Sequence, residues 1–175
     1  MPAQAGELKA FIREIPDFPK PGILFRDITP LLAHPQALAQ AIEALAAPFA
    51  DKGIDVVAAV EARGFIFGSA VARTLGAGFV PIRKKGKLPF HTESVSYGLE
   101  YGRDVVEVHT DAIRPGMKVL MVDDLLATGG TMAAACKLIE KLGGTIAGLT
   151  FLIELSGLNG RQQLKPYVLH TVICY

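Results

Sequence analysis

The chain is 175 residues long, half of them apolar and a fifth charged, which is enough to bury one sizeable core and excludes a disordered or low-complexity protein. Its 18 basic and 17 acidic side chains leave a net charge of +1, so no bulk field draws it to nucleic acid or to an anionic membrane surface, and any anion site has to be built locally. No segment reaches the roughly 18 apolar residues of a membrane span, and residues 1–13 hold no apolar run followed by a small-residue cleavage site; a cytoplasmic location with no membrane or nucleic-acid partner is expected.

Leu8, Phe11, Ile12 and Ile15 recur at helical spacing and predict a short amphipathic helix stopped by Pro16 and Pro19, with a proline-rich loop after it. Residues 35–50 are alanine-rich with Leu38, Ile42 and Leu45 on one face, a second helix. Asp55 to Val60 is a continuous apolar run of strand length, the pattern of a strand covered on both faces. A helix over 64–75 and a short strand over 78–82 follow. Residues 83–102 change to a polar stretch bearing Gly and Lys without core periodicity, which inside a compact domain reads as a lid or binding loop. Asp104 to His109 alternates like the return strand of a hairpin. Lys118 to Val122 is the strongest buried-strand signal. After it come a turn, a helix over 130–142 stopped by Gly143 and Gly144, and a strand over 145–155. Strands alternating with helices need crossover connections, so the fold class is α/β, one domain over 1–175 with a parallel sheet covered on both sides. Cys136 and Cys174 lie far apart, outside any metal-ligand spacing, and read as buried free thiols suited to a reducing compartment.

The stretch Val119-Leu-Met-Val-Asp-Asp-Leu-Leu-Ala-Thr-Gly-Gly-Thr131 carries the chemistry. A buried strand runs into two carboxylates and then into a small-residue turn that opens a helix. At the carboxyl end of a parallel strand a helix N-terminus offers unpaired backbone N–H groups to a phosphate. Ala127, Thr128, Gly129, Gly130 and Thr131 supply those amides and two hydroxyls, and glycine lets the backbone approach an anion closely. Asp123 and Asp124 would repel the phosphate itself but accept hydrogen bonds from sugar hydroxyls, so a sugar phosphate satisfies both demands. The alternative is an ordinary turn with Thr128 or Thr131 as an N-cap and solvated carboxylates. Neither a Walker-type loop nor a dinucleotide-binding glycine pattern occurs.

This stretch resembles the fingerprint of the type I phosphoribosyltransferases: four apolar residues, two acids, two variable residues, then Ala/Gly-Thr-Gly-Gly-Thr/Ser. Further segments in the same order resemble the branch of that family that acts on adenine: Phe18 to Ile28, Glu61 to Phe65, Arg83 to Pro89, Ser96 to Gly102, and Glu154-Leu155 with Gly160-Arg161. The likeness spans nearly the whole chain and departs from the family pattern at Lys85 and at Phe90-His91. It implies a mostly parallel sheet flanked by helices, with a small N-terminal hood over about 1–33 and a flexible catalytic loop over about 83–102. It also implies transfer of the 5-phosphoribosyl group from phosphoribosyl diphosphate to N9 of adenine, giving AMP and diphosphate in purine salvage. Mg²⁺ held mainly through the substrate, and a homodimer, complete the expectation.

By the same resemblance, Phe25 stacks on adenine while backbone groups of Leu24 and Arg26 bond its polar edge; the alternative for Phe25 is a core aromatic below the proline loop. Asp27 braces the hood or caps the following turn. Arg63 faces the crevice and takes the diphosphate, or else pairs with Glu61 or another surface acid. Of the basic run, Lys87 and then Arg83 contact diphosphate, and Lys84 and Lys85 stay solvated. Glu100 exchanges a proton with the base, and Tyr101 closes over the reacting centre or fills the hairpin. Rival readings are the same chemistry on hypoxanthine, guanine or xanthine, and a nucleic-acid-binding regulator that senses phosphoribosyl diphosphate. Near-neutral charge and the absence of an appended basic domain count against the second.

Overall fold

A computed structural model describes residues 5–99 and 102–175. The chain opens with a helix α1 (Ala5–Lys9), a strand β1 (Arg13–Pro16), a strand β2 (Leu24–Asp27), and helices α2 (Thr29–Ala33) and α3 (Pro35–Ala46). Then come β3 (Val56–Val60), α4 (Arg63–Leu75), β4 (Gly78–Lys84), β5 (Thr92–Leu99) and β6 (Gly102–His109), followed by β7 (Lys118–Leu126), α5 (Gly130–Lys141), β8 (Thr145–Glu154) and β9 (Leu169–Cys174).

Seven strands form one sheet in the order β5-β6-β4-β3-β7-β8-β9. Its centre, β4-β3-β7-β8-β9, is parallel, and the β5–β6 hairpin adds an antiparallel edge. Every residue of β3 is buried, as its unbroken apolar run requires, and successive side chains alternate between two cores. Ala58 and Val60 join Met121, Leu138, Ile139 and Phe151 under α5. Val57 joins Leu120, Val122, Phe67, Val71 and Leu45 under α3 and α4. The helix expected over 64–75 and those expected over 35–50 and 130–142 are present with small shifts at their ends, the second breaking into a 3₁₀ turn at Ala47–Phe49. Of the two cysteines expected to be buried, Cys136, on α5, is, whereas Cys174, at the end of the edge strand β9, is exposed.

Three expectations change. The opening helix stops at Lys9, and Ile15 lies in β1, where it pairs with Phe25 of β2. Leu8 and Ile12 are buried as their spacing implies, but pairing with a distant segment overrides the helical pattern beyond them. The proline-rich stretch therefore contains β2 and α2, and a hairpin links β1 to β2, with Asp17 accepting a hydrogen bond from the Gly22 amide at 2.7 Å. Much of the 83–102 segment is regular: β4 runs to Lys84 and β5 covers Thr92–Leu99, so the irregular connection is residues 85–91.

Candidate active site

The carboxyl ends of β3, β4 and β7 converge on a cleft of about 490 Å³, the position at which open α/β sheets bind ligands. One wall is residues 127–131, where β7 turns into α5. Gly129 has φ +84°, in the left-handed region, and a Cβ there would lie 2.7 Å from the Gly160 carbonyl oxygen, so the turn tolerates only glycine at that point. Neither Thr128 nor Thr131 caps the helix: Gly129 occupies the N-cap position without a side-chain hydrogen bond. Ala127, Thr128, Gly130 and Thr131 line the cleft where α5 begins without a side-chain cap, an arrangement that attracts an anion through unpaired N–H groups and the helix dipole.

The paired acids stand opposite. Asp124 is buried and its Oδ2 accepts from Arg63 Nε at 2.5 Å, while Asp123 Oδ1 accepts from the Asp124 amide at 2.9 Å. Arg63 opens α4, and the next residue, Gly64, has to lack a side chain because a Cβ there would lie 2.8 Å from Asp123 Oδ1. Burial, and then the neighbouring Asp124 carboxylate, push the Asp123 carboxyl well above the usual range. Arg63 reaches the crevice as expected, and the acid it pairs with is Asp124 rather than Glu61.

Glu61, at the end of β3, organises the basic run. Its carboxylate accepts from the Lys84 amide at 2.7 Å and from Lys87 Nζ at 2.9 Å, with Arg83 Nε at 3.4 Å. Burial raises the Glu61 carboxyl, but the hydrogen bonds from Lys87 and Lys84 and the charges of Lys87 and Arg83 outweigh it and leave it lowered. Lys87 and Arg83 therefore meet the cleft through Glu61, which lines it. Lys84 is exposed, as expected of a solvated residue, but its Nζ also pairs with Asp104 at 2.6 Å, and both line the cleft with Tyr97. Lys85 is exposed as expected. Tyr97 donates to Asp104 at 3.2 Å from the opposite strand. That trio was not anticipated, since only the β5–β6 register brings Tyr97 over Asp104; the alternation of 104–109 was its one trace in the sequence.

In the hood, Phe25 is half-buried and belongs to neither core; it meets Phe18 edge-on at 5.2 Å and lies 5.8 Å from the Arg63 guanidinium. Its ring thus packs on Phe18 of the proline-rich stretch and faces Arg63, which lines the cleft. Leu24 is exposed, and Arg26 has its side chain occupied by Glu14 and the Tyr175 ring. Asp27 caps the α2 turn, accepting from the Thr29 amide at 2.9 Å and hydroxyl at 2.8 Å. Glu100 and Tyr101 lie outside the described residues.

Comparison with known proteins places this geometry. The phosphoribosyl transferase domain model matches residues 27–172. An adenine phosphoribosyltransferase of Rhodopirellula baltica is 59% identical over 174 residues, covering 99% of this chain and 84% of that one. The crystal structure of adenine phosphoribosyltransferase from Thermoanaerobacter pseudethanolicus is 51% identical with a TM-score of 0.95, covering 98% of this chain and all of the other. The enzyme of Saccharomyces cerevisiae, complexed with D-2,5-dideoxy-2,5-imino-altritol 1,6-bisphosphate and adenine, is 40% identical with a TM-score of 0.92, over 97% of this chain and 98% of the other. The fingerprint on β7, its cradle at the head of α5 and a likeness that runs the length of the chain lead to one conclusion: the protein belongs to the phosphoribosyltransferase family, in its adenine phosphoribosyltransferase branch.

Proposed function

We propose that this chain transfers the 5-phosphoribosyl group from phosphoribosyl diphosphate to N9 of adenine, releasing diphosphate and AMP. The observation that carries the reading is the meeting of two carboxylates on β7 with an uncapped helix N-terminus in one cleft. The 127–131 amides and hydroxyls bind the 5-phosphate, and Asp123 and Asp124 hold the ribose hydroxyls. Arg63, Lys87 and Arg83 bind the diphosphate, which carries negative charge away from C1 as it leaves. Arg63 meets Asp124 through Nε, so the terminal nitrogens of its fork remain to reach the leaving group.

Mg²⁺ fits this donor set. Such ions take one or two carboxylates plus substrate phosphates; two carboxylates face the cleft, and among the described residues no group of three His, Cys, Asp or Glu forms a protein cage. Asp123 and Asp124, together with the diphosphate, would hold the ion, which would supply charge neutralisation for the leaving group.

Phe25 stacks on the adenine ring. Residues two apart in a strand present their backbone groups to the same edge, so Leu24 and Arg26 read the base from one side of β2. Glu100 exchanges a proton with the base as N9 attacks, and Tyr101 closes over the reaction. The connection around 83–102 excludes water that would otherwise hydrolyse the activated sugar. The domain spans 1–175 with a hood over about 1–33. No helix among the described residues is long and apolar enough to cross a membrane, and the reading is completed by a cytoplasmic homodimer, on family likeness.

The test is incubation of purified protein with Mg²⁺, phosphoribosyl diphosphate and, separately, adenine, hypoxanthine, guanine and xanthine, with the nucleotide identified by chromatography. AMP from adenine alone is expected. Conversion of another base would overturn the reading of Phe25 and keep the sugar-phosphate site; no conversion, with phosphoribosyl diphosphate still bound, would point to a sensor.

A further inference from the structure

Strand β2 pairs with β1 alone and with no strand of the seven-stranded sheet. No ladder of the main sheet therefore fixes its position. The Arg26 guanidinium lies 3.7 Å from the centre of the Tyr175 ring, and Lys9 Nζ of α1 lies 4.1 Å from the same ring. Two cations from two hood elements thus meet one aromatic face system, the geometry of a cation–π contact. Arg26 is also paired with Glu14 of β1. Tyr175 is itself fixed to the main sheet: its amide donates to the Glu154 carbonyl at 2.9 Å, and its carbonyl accepts from the Ser156 amide at 2.9 Å and from the Ser156 hydroxyl. A continuous line of contacts runs from the end of β8 through Tyr175 to the backbone of β2.

The geometry points to Tyr175 as a positioning residue for base recognition: its ring, seated on β8, holds Arg26 and so sets where β2 presents its edge to the base. This rests on the reading of β2 as the base-reading strand. Tyr175 touches no substrate in this scheme; it acts through Arg26. Both cations lie over the ring, 4.1 Å and 3.7 Å from its centre, so the ring face carries the contact.

The test is steady-state kinetics on Tyr175→Ala, Tyr175→Phe and Arg26→Met, with the melting temperature of each. Tyr175→Ala is expected to raise KM for the base about threefold to tenfold, the range of an exposed to partly desolvated cation–π contact, and to leave KM for phosphoribosyl diphosphate within about twofold. Tyr175→Phe keeps the face and should match the unsubstituted protein within about twofold. Arg26→Met removes the cation without touching β9, so it should show the same split, and the Tyr175→Ala/Arg26→Met double variant should be no worse than the poorer single one. Equal rises in both KM values, a lower melting temperature with unchanged KM for the base, or a Phe variant as poor as Ala would each overturn the assignment. Should Tyr175→Ala not fold, Arg26→Met and Tyr175→Phe decide it. The unsubstituted protein is the control for the activity itself, and the variants are read on whichever purine it converts; a changed base overturns the adenine reading without touching Tyr175, and conversion of none overturns both.

Discussion

Gly160 packs its backbone directly on the carbonyl of Ala127: a Cβ at 160 would collide with the Ala127 oxygen and lie 2.8 Å from Leu126 Cδ1. The 3₁₀ turn at Gly160–Leu164 therefore buttresses the phosphate turn from behind. The Ala127 oxygen belongs to the main chain of the cradle, so Gly160→Ala has to displace one turn from the other. Overpacking of this kind costs ~1–3 kcal/mol, and we expect affinity for phosphoribosyl diphosphate to fall about tenfold. Titration calorimetry checks it; affinity equal to that of the unsubstituted protein would mean that the turn moves without disturbing the cradle.

Asp123 exchanges stability for binding. Burial, then Asp124, raises its carboxyl in the folded state, and a raised acid costs stability that grows as pH climbs from the unfolded value, ~4, through the folded one. Asp123→Asn removes the cost. Its melting temperature should match that of the unsubstituted protein at acid pH and exceed it by ~3 °C near neutrality, while phosphoribosyl diphosphate binding weakens. Calorimetric melts across pH 4–8 would show this; a variant less stable at neutral pH would mean that the charged carboxylate is held favourably.

What was legible before the structure follows from what is local. Asp123 and Asp124 abut an unbroken apolar run and a glycine turn, so strand, acids and cradle read directly from contiguous residues. The parallel centre was equally plain, because β3 and β7 are covered on both faces and carry no alternation to confuse. Distance in sequence hid the rest. Ile15 sits in a helical spacing and is claimed by Phe25 across a hairpin. Strand β9, Leu-His-Thr-Val-Ile-Cys, mixes polar and apolar residues at a sheet edge and shows no clean period. Lys84 and Asp104 become partners only through the β4–β6 pairing, twenty positions apart, and no local pattern marks Tyr175 as the seat of Arg26.

The connection that carries Lys87 is held by a buried acid. Glu107 Oε1 accepts from the Gly86 amide at 3.0 Å and the Leu88 amide at 3.2 Å, and Oε2 meets the Thr92 hydroxyl at 3.5 Å. These bonds flank Lys87 on both sides and fix the backbone from which it projects. Hydrogen bonds to a charged group contribute ~1.5–3 kcal/mol, so Glu107→Ala should lower kcat/KM for phosphoribosyl diphosphate about tenfold or more while KM for adenine changes little. An unaltered ratio would show that the connection is shaped by its other contacts.

The two thiols should report the packing of α5 against the sheet. Cys136 is fully buried, and its thiol is pushed up to about 12, first by burial and then by the nearby Glu140 carboxylate; only a thiolate attacks a disulfide reagent, so at pH 8 it is both hidden and protonated. Cys174 is exposed at the edge strand. A chromogenic disulfide added to native protein should therefore release one equivalent quickly and the second only after denaturation, with Cys174→Ser abolishing the fast phase. Two fast equivalents would mean that α5 opens readily from the sheet, and a slow phase alone would mean that the β9 edge is covered in solution, as an interface between two copies of the chain would cover it.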